Sequence, residues 1–200
     1  MTIQFERQWA MPHKNTFTIL PIRKLLGEEL TSGIWLDPFA NNNTIKQIFG
    51  TLLDDIKLIT NDLNPEYLTD YHLDAYEFLQ MFSDSSIDGV LYDPPYSPRQ
   101  VSEYYRNIGI KVNQEMTRAD VQAKIKNQIA RIIKKNGKVL SFGWSSGGIG
   151  TKLGFIITRI LLVPHGAGHN DTIVTVERKG MQLENGPDEI SQDQGLFDYY

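Results

Sequence analysis

Apolar runs of strand length recur along the chain, and segments with helical spacing lie between the earlier ones. The runs are Ile34–Leu36, Lys57–Thr60, Val90–Tyr92, Lys138–Trp144, Phe155–Val163 and Thr172–Arg178, with a short seventh at Tyr71–Leu73. Apolar residues three and four apart mark helices over Pro21–Leu30, Thr44–Leu53, Ala75–Phe82, Pro98–Asn107 and Arg118–Lys135. In the last of these Val121, Ile125, Ile129, Ile132 and Ile133 form one stripe, and Asn136-Gly137 supplies a pair that tolerates the left-handed turn closing a helix. Such alternation predicts an α/β sheet. Only Pro164–Asn170 joins the last two strands, too short for a crossover helix, so they are expected to run antiparallel on a sheet that began as parallel.

Two hundred residues suffice for one domain with its own core. The expected division is one domain over 1–180 and a loose acidic tail over 181–200. No cysteine is present, which excludes a disulfide framework, a thiolate nucleophile and a Cys-bound zinc, and favours the cytoplasm. The best membrane-span candidate, Phe155–Pro164, is short and interrupted by Arg159; Met1–Gln8 lacks an apolar core, so neither a membrane anchor nor an export signal is expected.

The net charge of −4 argues at first against a nucleic-acid partner, but it is unevenly distributed. Residues 1–96 carry a net −8, residues 97–138 a net +7, and residues 181–200 a net −5. Arg99, Arg106, Lys111, Arg118 and Lys124 head the basic segment, and ten cations in that stretch are a phosphate-contact footprint.

Chemistry concentrates where strands end. Asp93-Pro94-Pro95-Tyr96 follows the run Gly89–Tyr92. Two prolines hold the backbone extended and stiff, and in open α/β sheets that edge is where ligands bind. A fixed carboxylate, a proline carbonyl free to accept and an aromatic face suit a flat substrate with an exocyclic amine, as a nucleobase has. A lone Asp at such a place is most often a helix cap. Here Asp37, Asp62 and Asp74 also stand at strand ends, which makes a cleft lined with carboxylates, suited to ribose hydroxyls, amines and a cationic ligand. No glycine-rich phosphate cradle accompanies it, so a nucleoside without phosphates fits.

These residues resemble the adenine-specific DNA methyltransferases that use S-adenosylmethionine, and among them the small phage-type enzymes. The resemblance spans roughly residues 11–178 and rests on Asn15–Ile22, Asp37-Pro38-Phe39, Asp62, Asp74 and Asp93–Gln100, in that order. It implies a class I methyltransferase fold: an α/β, mostly parallel seven-stranded sheet with an antiparallel last strand and helices on both faces. It further implies that Phe17 and Thr18 hold the methionine end of the cofactor, with Asp37 and Phe39 beside it. Asp62 would take the ribose hydroxyls and Asp74 the cofactor's adenine amine. Asp93 and the Pro94 carbonyl would accept from the N6 amine of a flipped adenine, with Pro95 bracing them and Tyr96 stacking on the base. The chain departs from the family after Asp37, where Ala40-Asn41-Asn42-Asn43 stand in place of glycines; asparagine tolerates positive φ, so the turn is expected to survive.

The implied partner is DNA. Only about residues 97–118 are left for target recognition, so specificity is either short or shared with a homodimer partner. Rival readings are a base methylase acting on RNA (N2-guanine or N6-adenine) and an inactive nucleic-acid-binding protein of the same fold. His165 and His169 are two ligands at most, too few for a metal site, and no metal is expected. The glycine-rich Ser141–Gly148 reads equally as an active-site wall or an ordinary loop, and Trp9 and His13 equally as cofactor cover or as packing.

Overall fold

A computed structural model describes residues 2–42, 44–50, 54–95, 119–166 and 168–180. The strands are β1 (Gln4–Arg7), β2 (Gly33–Asp37), β3 (Ile56–Thr60), β4 (Ile87–Tyr92), β5 (Ile133–Gly143), β6 (Phe155–Val163) and β7 (Thr172–Lys179). The described helices are α1 (Leu20–Glu29), α2 (Thr44–Phe49), α3 (Ala75–Gln80) and α4 (Ala119–Ile132). They surround one sheet in the order β1-β6-β7-β5-β4-β2-β3. All neighbours run parallel except β7, antiparallel to both β5 and β6. The antiparallel pair expected from the short Pro164–Asn170 link is therefore present.

Successive side chains of a strand face opposite ways, so central strands that bury both faces must be apolar at every position. Trp35, Leu91 and Leu140 join α1 in one core, whereas Leu36, Val90 and Val139 join α3 and α4 in the other. Gly89 is required by this packing: a Cβ there would lie 2.4 Å from the Trp35 ring. Two cations close helix ends by donating to carbonyls in and just past the last turn. Lys179 reaches the Ala130 and Ile133 carbonyls at 2.6 and 2.8 Å, and Arg131 those of Leu79 and Phe82 at 3.2 and 2.8 Å.

Two expectations are corrected. The seventh strand is β1, and Tyr71–Leu73 contributes only an isolated parallel bridge, Asn61↔Tyr71. The ladder stops there because the next amide, Leu73 N–H, donates to the Asn61 side chain at 2.9 Å instead of to a strand. β1 escaped notice because its side chains are mostly exposed. Its ladder to β6 and the Arg159–Glu6 ion pair at 2.6 Å hold it in place. The second correction concerns α4, which ends at Ile132 rather than Lys135. Ile133, fully buried, already pairs with Ile87, and the left-handed turn at Asn136 (φ 65°) falls inside the entry to β5. The expected helix Pro98–Asn107 and the tail 181–200 lie outside the described residues.

Candidate active site

The sheet reverses its winding at β2: β3 lies on one side and β4 on the other. A crevice opens at the carboxyl ends of strands at such a switch point. Asp37 ends β2 and Asp93 follows β4, so these two acids flank it. A cavity of about 280 Å³ occupies this edge, near the lower end for small-molecule sites.

Asp62, Asp74 and Asp93 line the cavity, whereas Asp37 is buried beside the lining residues Pro38 and Phe39 and does not itself line it. Asp37 is 1% exposed; its Oδ1 accepts from Phe39 N–H at 3.3 Å, and its Oδ2 has no hydrogen-bond partner among the described residues. Burial, then the nearby Asp93 and Asp62 carboxylates, hold its pKa well above the ordinary range, against the Phe39 hydrogen bond. Asp62 accepts from Asn41 N–H and Asn64 N–H, both at 2.9 Å, and so ties the loop after β2 to the end of β3. In that loop Asn41 takes φ 50°, the positive value expected where the family has glycine. Asp74 caps α3 through Tyr76 N–H at 2.8 Å and also lines the cavity. Cap and wall are compatible roles, because a carboxylate has further lone pairs.

Phe17, Phe39, Asp93, Pro94 and Pro95 line the cavity as well. Phe17 is buried on the short turn Thr16–Thr18, its ring 5.0 Å from that of Phe142. Thr18 does not line the cavity. It is exposed, and its hydroxyl donates to the Asn15 carbonyl at 2.7 Å and lies 2.7 Å from His13 Nδ1; Asn15 and Thr16 stand in the wall instead. A 3-10 turn separates neighbouring side chains by about a third of a revolution, so Phe17 and Thr18 cannot share one face.

The sequence did not single out four contributors to the site. Asn61, buried at the end of β3, donates to the Pro38 and Leu73 carbonyls (3.1 and 3.0 Å) and accepts from Leu73 N–H (2.9 Å), stapling two cavity loops together. A polar side chain interrupting the run into Asp62 was its signal. Val121, Ile125 and Gln122 of α4 form the opposite wall, and Gln122 Oε1 accepts from the Tyr92 hydroxyl. Burial raises the Tyr92 pKa, so the phenol stays a donor. Val121 and Ile125 had read simply as an apolar stripe, which they also are.

Other candidates lie elsewhere. Tyr96, Arg99, Arg106, Lys111 and Arg118 are outside the described residues. Lys124 is exposed on α4 and does not line the cavity, and Lys126 donates to the Gly148 carbonyl. His165 is a buried pin: Nδ1 donates to the Ala10 carbonyl at 2.8 Å, and Nε2 lies 2.9 Å from Thr172 Oγ1. Trp9 and the stretch from Ser141 to Gly150 do not line the cavity. Among the described residues no three His, Asp or Glu side chains gather as metal ligands, and no helix is long and apolar enough to cross a membrane.

No protein-family model matches the chain, and no curated protein matches it in sequence. Solved structures do. Over 86% of this chain and 94% of the other, it superposes with TM-score 0.56 and 13% identity on precorrin-6y C5,15-methyltransferase from Geobacter metallireducens GS-15. TrmN from Thermus thermophilus gives 0.54 and 16% over 80% of this chain, which spans only 49% of that one. The 1,6-didemethyltoxoflavin-N1-methyltransferase of Burkholderia thailandensis, with S-adenosylhomocysteine bound, gives 0.52 and 13% over 80% and 76%. With its single antiparallel strand and its crevice at the switch point, the chain has the class I, Rossmann-like methyltransferase fold.

Proposed function

We propose that the protein is an S-adenosylmethionine-dependent methyltransferase acting on the N6 amine of adenine in DNA. The observation that carries this reading is the placement of Asp93-Pro94-Pro95, which follows β4 at the switch point and shares one cavity with Phe17, Asp62 and Asp74. The lining suits a nucleoside-type cofactor, with carboxylates for hydroxyls and amines and an aromatic wall; next to the lining residue Pro38, a buried Asp37 oxygen has no hydrogen-bond partner among the described residues. S-adenosylmethionine supplies an electrophilic methyl group carried on a sulfonium.

The chain's own residues do the rest. Phe17 and Phe39 give the apolar surface, Asp62 and Asp74 accept from hydroxyl and amine donors, and Asp37 faces an ammonium. Asp93 and the Pro94 carbonyl accept from the two N–H groups of the substrate amine. That draws the nitrogen lone pair out of conjugation and leaves it free to attack. Positioning and fixed dipoles thus lower the barrier. The proton leaves after the new N–C bond has formed, with Asp93 the nearest acceptor. By the resemblance Tyr96 stacks on the base and the basic segment meets the phosphates.

Mass analysis of nucleosides from DNA and matched RNA, each incubated with labelled cofactor, tests the proposal. The expected product is N6-methyl-2′-deoxyadenosine from DNA, with no label in RNA. Label in RNA, or on guanine or cytosine, would replace the substrate assignment. Calorimetry showing no cofactor binding would remove the enzyme assignment. Asp93→Ala is expected to abolish transfer while cofactor affinity persists.

A further inference from the structure

β1 is the outermost strand of the sheet, and its side chains are arranged in an unusual order. Ile3, Phe5, Trp9 and Met11 are 48, 63, 62 and 68% exposed, whereas the alternate residues Glu6, Gln8, Ala10 and Pro12 are half-buried. The ladder to β6 continues past β1, since Gln8 N–H donates to the Leu162 carbonyl and Ala10 N–H to that of Pro164. With that two-residue period the even-numbered amides face β6. The backbone groups of Phe5, Arg7 and Trp9 face outward, where no strand pairs among the described residues. Side chains of alternate residues share a face, so four large apolar groups line one exposed strip beside an open edge.

The strip is also symmetric in sequence. Reading outward from Arg7 in both directions gives Phe5 and Trp9, then Ile3 and Met11. An antiparallel pairing of two such edges about a two-fold axis at Arg7 sets Phe5 opposite Trp9 and Ile3 opposite Met11, twice over. An isologous interface needs a surface complementary to itself in this way. At about 200 Å² per aromatic side chain, Phe5 and Trp9 leave about 250 Å² exposed. With Ile3 and Met11 the strip offers on the order of 400–500 Å² per copy. Two copies approach the roughly 1,000 Å² that a biological interface has to clear, before any backbone is counted.

We propose that the protein self-associates through β1, two copies pairing edge to edge antiparallel about Arg7 with Ile3, Phe5, Trp9 and Met11 as the apolar contact. The proposal does not depend on the methyltransferase reading. It places two like-charged Arg7 side chains at the axis, so association strengthens as salt screens them.

Sedimentation velocity over a concentration and salt series tests this. The expected result is a monomer–dimer equilibrium that tightens with salt. Trp9→Glu, at an exposed position that leaves the fold intact by circular dichroism, is expected to weaken it by at least about a hundredfold. Arg7→Gln is expected to tighten it about fourfold at low salt. A monomer at every concentration and salt, or a dimer indifferent to both substitutions, overturns the proposal. So does a monomer whose strip binds an oligonucleotide with affinity falling as salt rises, because that assigns the strip to nucleic acid instead.

Discussion

Glu177 lies inside β7, fully buried, and holds a loop that never touches the cavity yet supports one of its walls. Its carboxylate accepts from Ser141 Oγ at 3.2 Å, Ile149 N–H at 2.8 Å and Gly150 N–H at 3.0 Å. The loop approaches so closely that a Cβ on Gly148 (φ 48°) would stand 2.3 Å from Glu177 Oε2, which is why glycine is needed there. Ile149 then packs in the same core as Ile125, a cavity residue. In Glu177→Ala three buried donors lose their acceptor. At about 1–3 kcal/mol for each, the cost is about 3–9 kcal/mol, a large share of a typical domain's stability. Glu177→Gln keeps the shape but turns one acceptor into a donor and is expected to cost about 1–3 kcal/mol.

The pH dependence carries a sign. Burial raises the Glu177 pKa above its ordinary value, against the three hydrogen bonds and Lys126. The folded state therefore binds its proton more tightly than the unfolded chain, and this group's contribution falls as pH rises from the unfolded pKa through the folded one. Urea unfolding followed by circular dichroism across that window is expected to show the Gln variant's deficit largest at acid pH and smaller at neutral pH. Destabilisation of Glu177→Ala by less than about 1 kcal/mol, or a Gln deficit that does not change with pH, would refute the reasoning.

Asp37 carries the opposite kind of linkage, to ligand rather than to fold. Its raised pKa, from burial and then from Asp93 and Asp62, means that binding a cation beside it releases a proton. Affinity for S-adenosylmethionine should then climb as pH rises toward that pKa, and calorimetry in buffers of different ionisation enthalpy should count a released proton that Asp37→Asn abolishes. Asn41→Val places a β-branched residue at φ 50° and is expected to cost about 1–2 kcal/mol by thermal unfolding, whereas Asn41→Gly should be near neutral. Arg159 is paired to Glu6, Glu28 and Glu29 at 2.6, 2.7 and 3.3 Å and ties β1 to α1. Arg159→Met is expected to cost about 2 kcal/mol and to raise hydrogen exchange in β1 before the central strands.

What could be read in the sequence, and what could not, divides by where the energy of each element comes from. Strands buried on both faces must be apolar throughout, so β2, β4 and β5 announced themselves and their order of alternation gave the fold. Asp37 and Asp93 were visible because each stands where such a run stops, and Asp62 because it follows the run that becomes β3; Asp74 follows Tyr71–Leu73, which is no strand, and shows instead as the cap of α3. The family expectation for Asn41 survives because its short amide side chain tolerates the left-handed turn, with Asp62 holding the amide. Thr18 stands outside the cavity, since a pattern of residue types says nothing of which way a short turn faces.

β1 was missed for the reason that makes it interesting. An edge strand is held by backbone bonds to β6 and by the Glu6–Arg159 pair, 153 residues apart in sequence, and neither leaves a periodic apolar signal on the sheet's inner faces. Its apolar residues do alternate, but they point outward. A hydrophobic alternation that the fold leaves uncovered reports an interaction that the single chain does not contain. In the proposed pairing Ile3, Phe5, Trp9 and Met11 would form the interface, and the charge that separates them at Arg7 would set how tightly and at what ionic strength it forms.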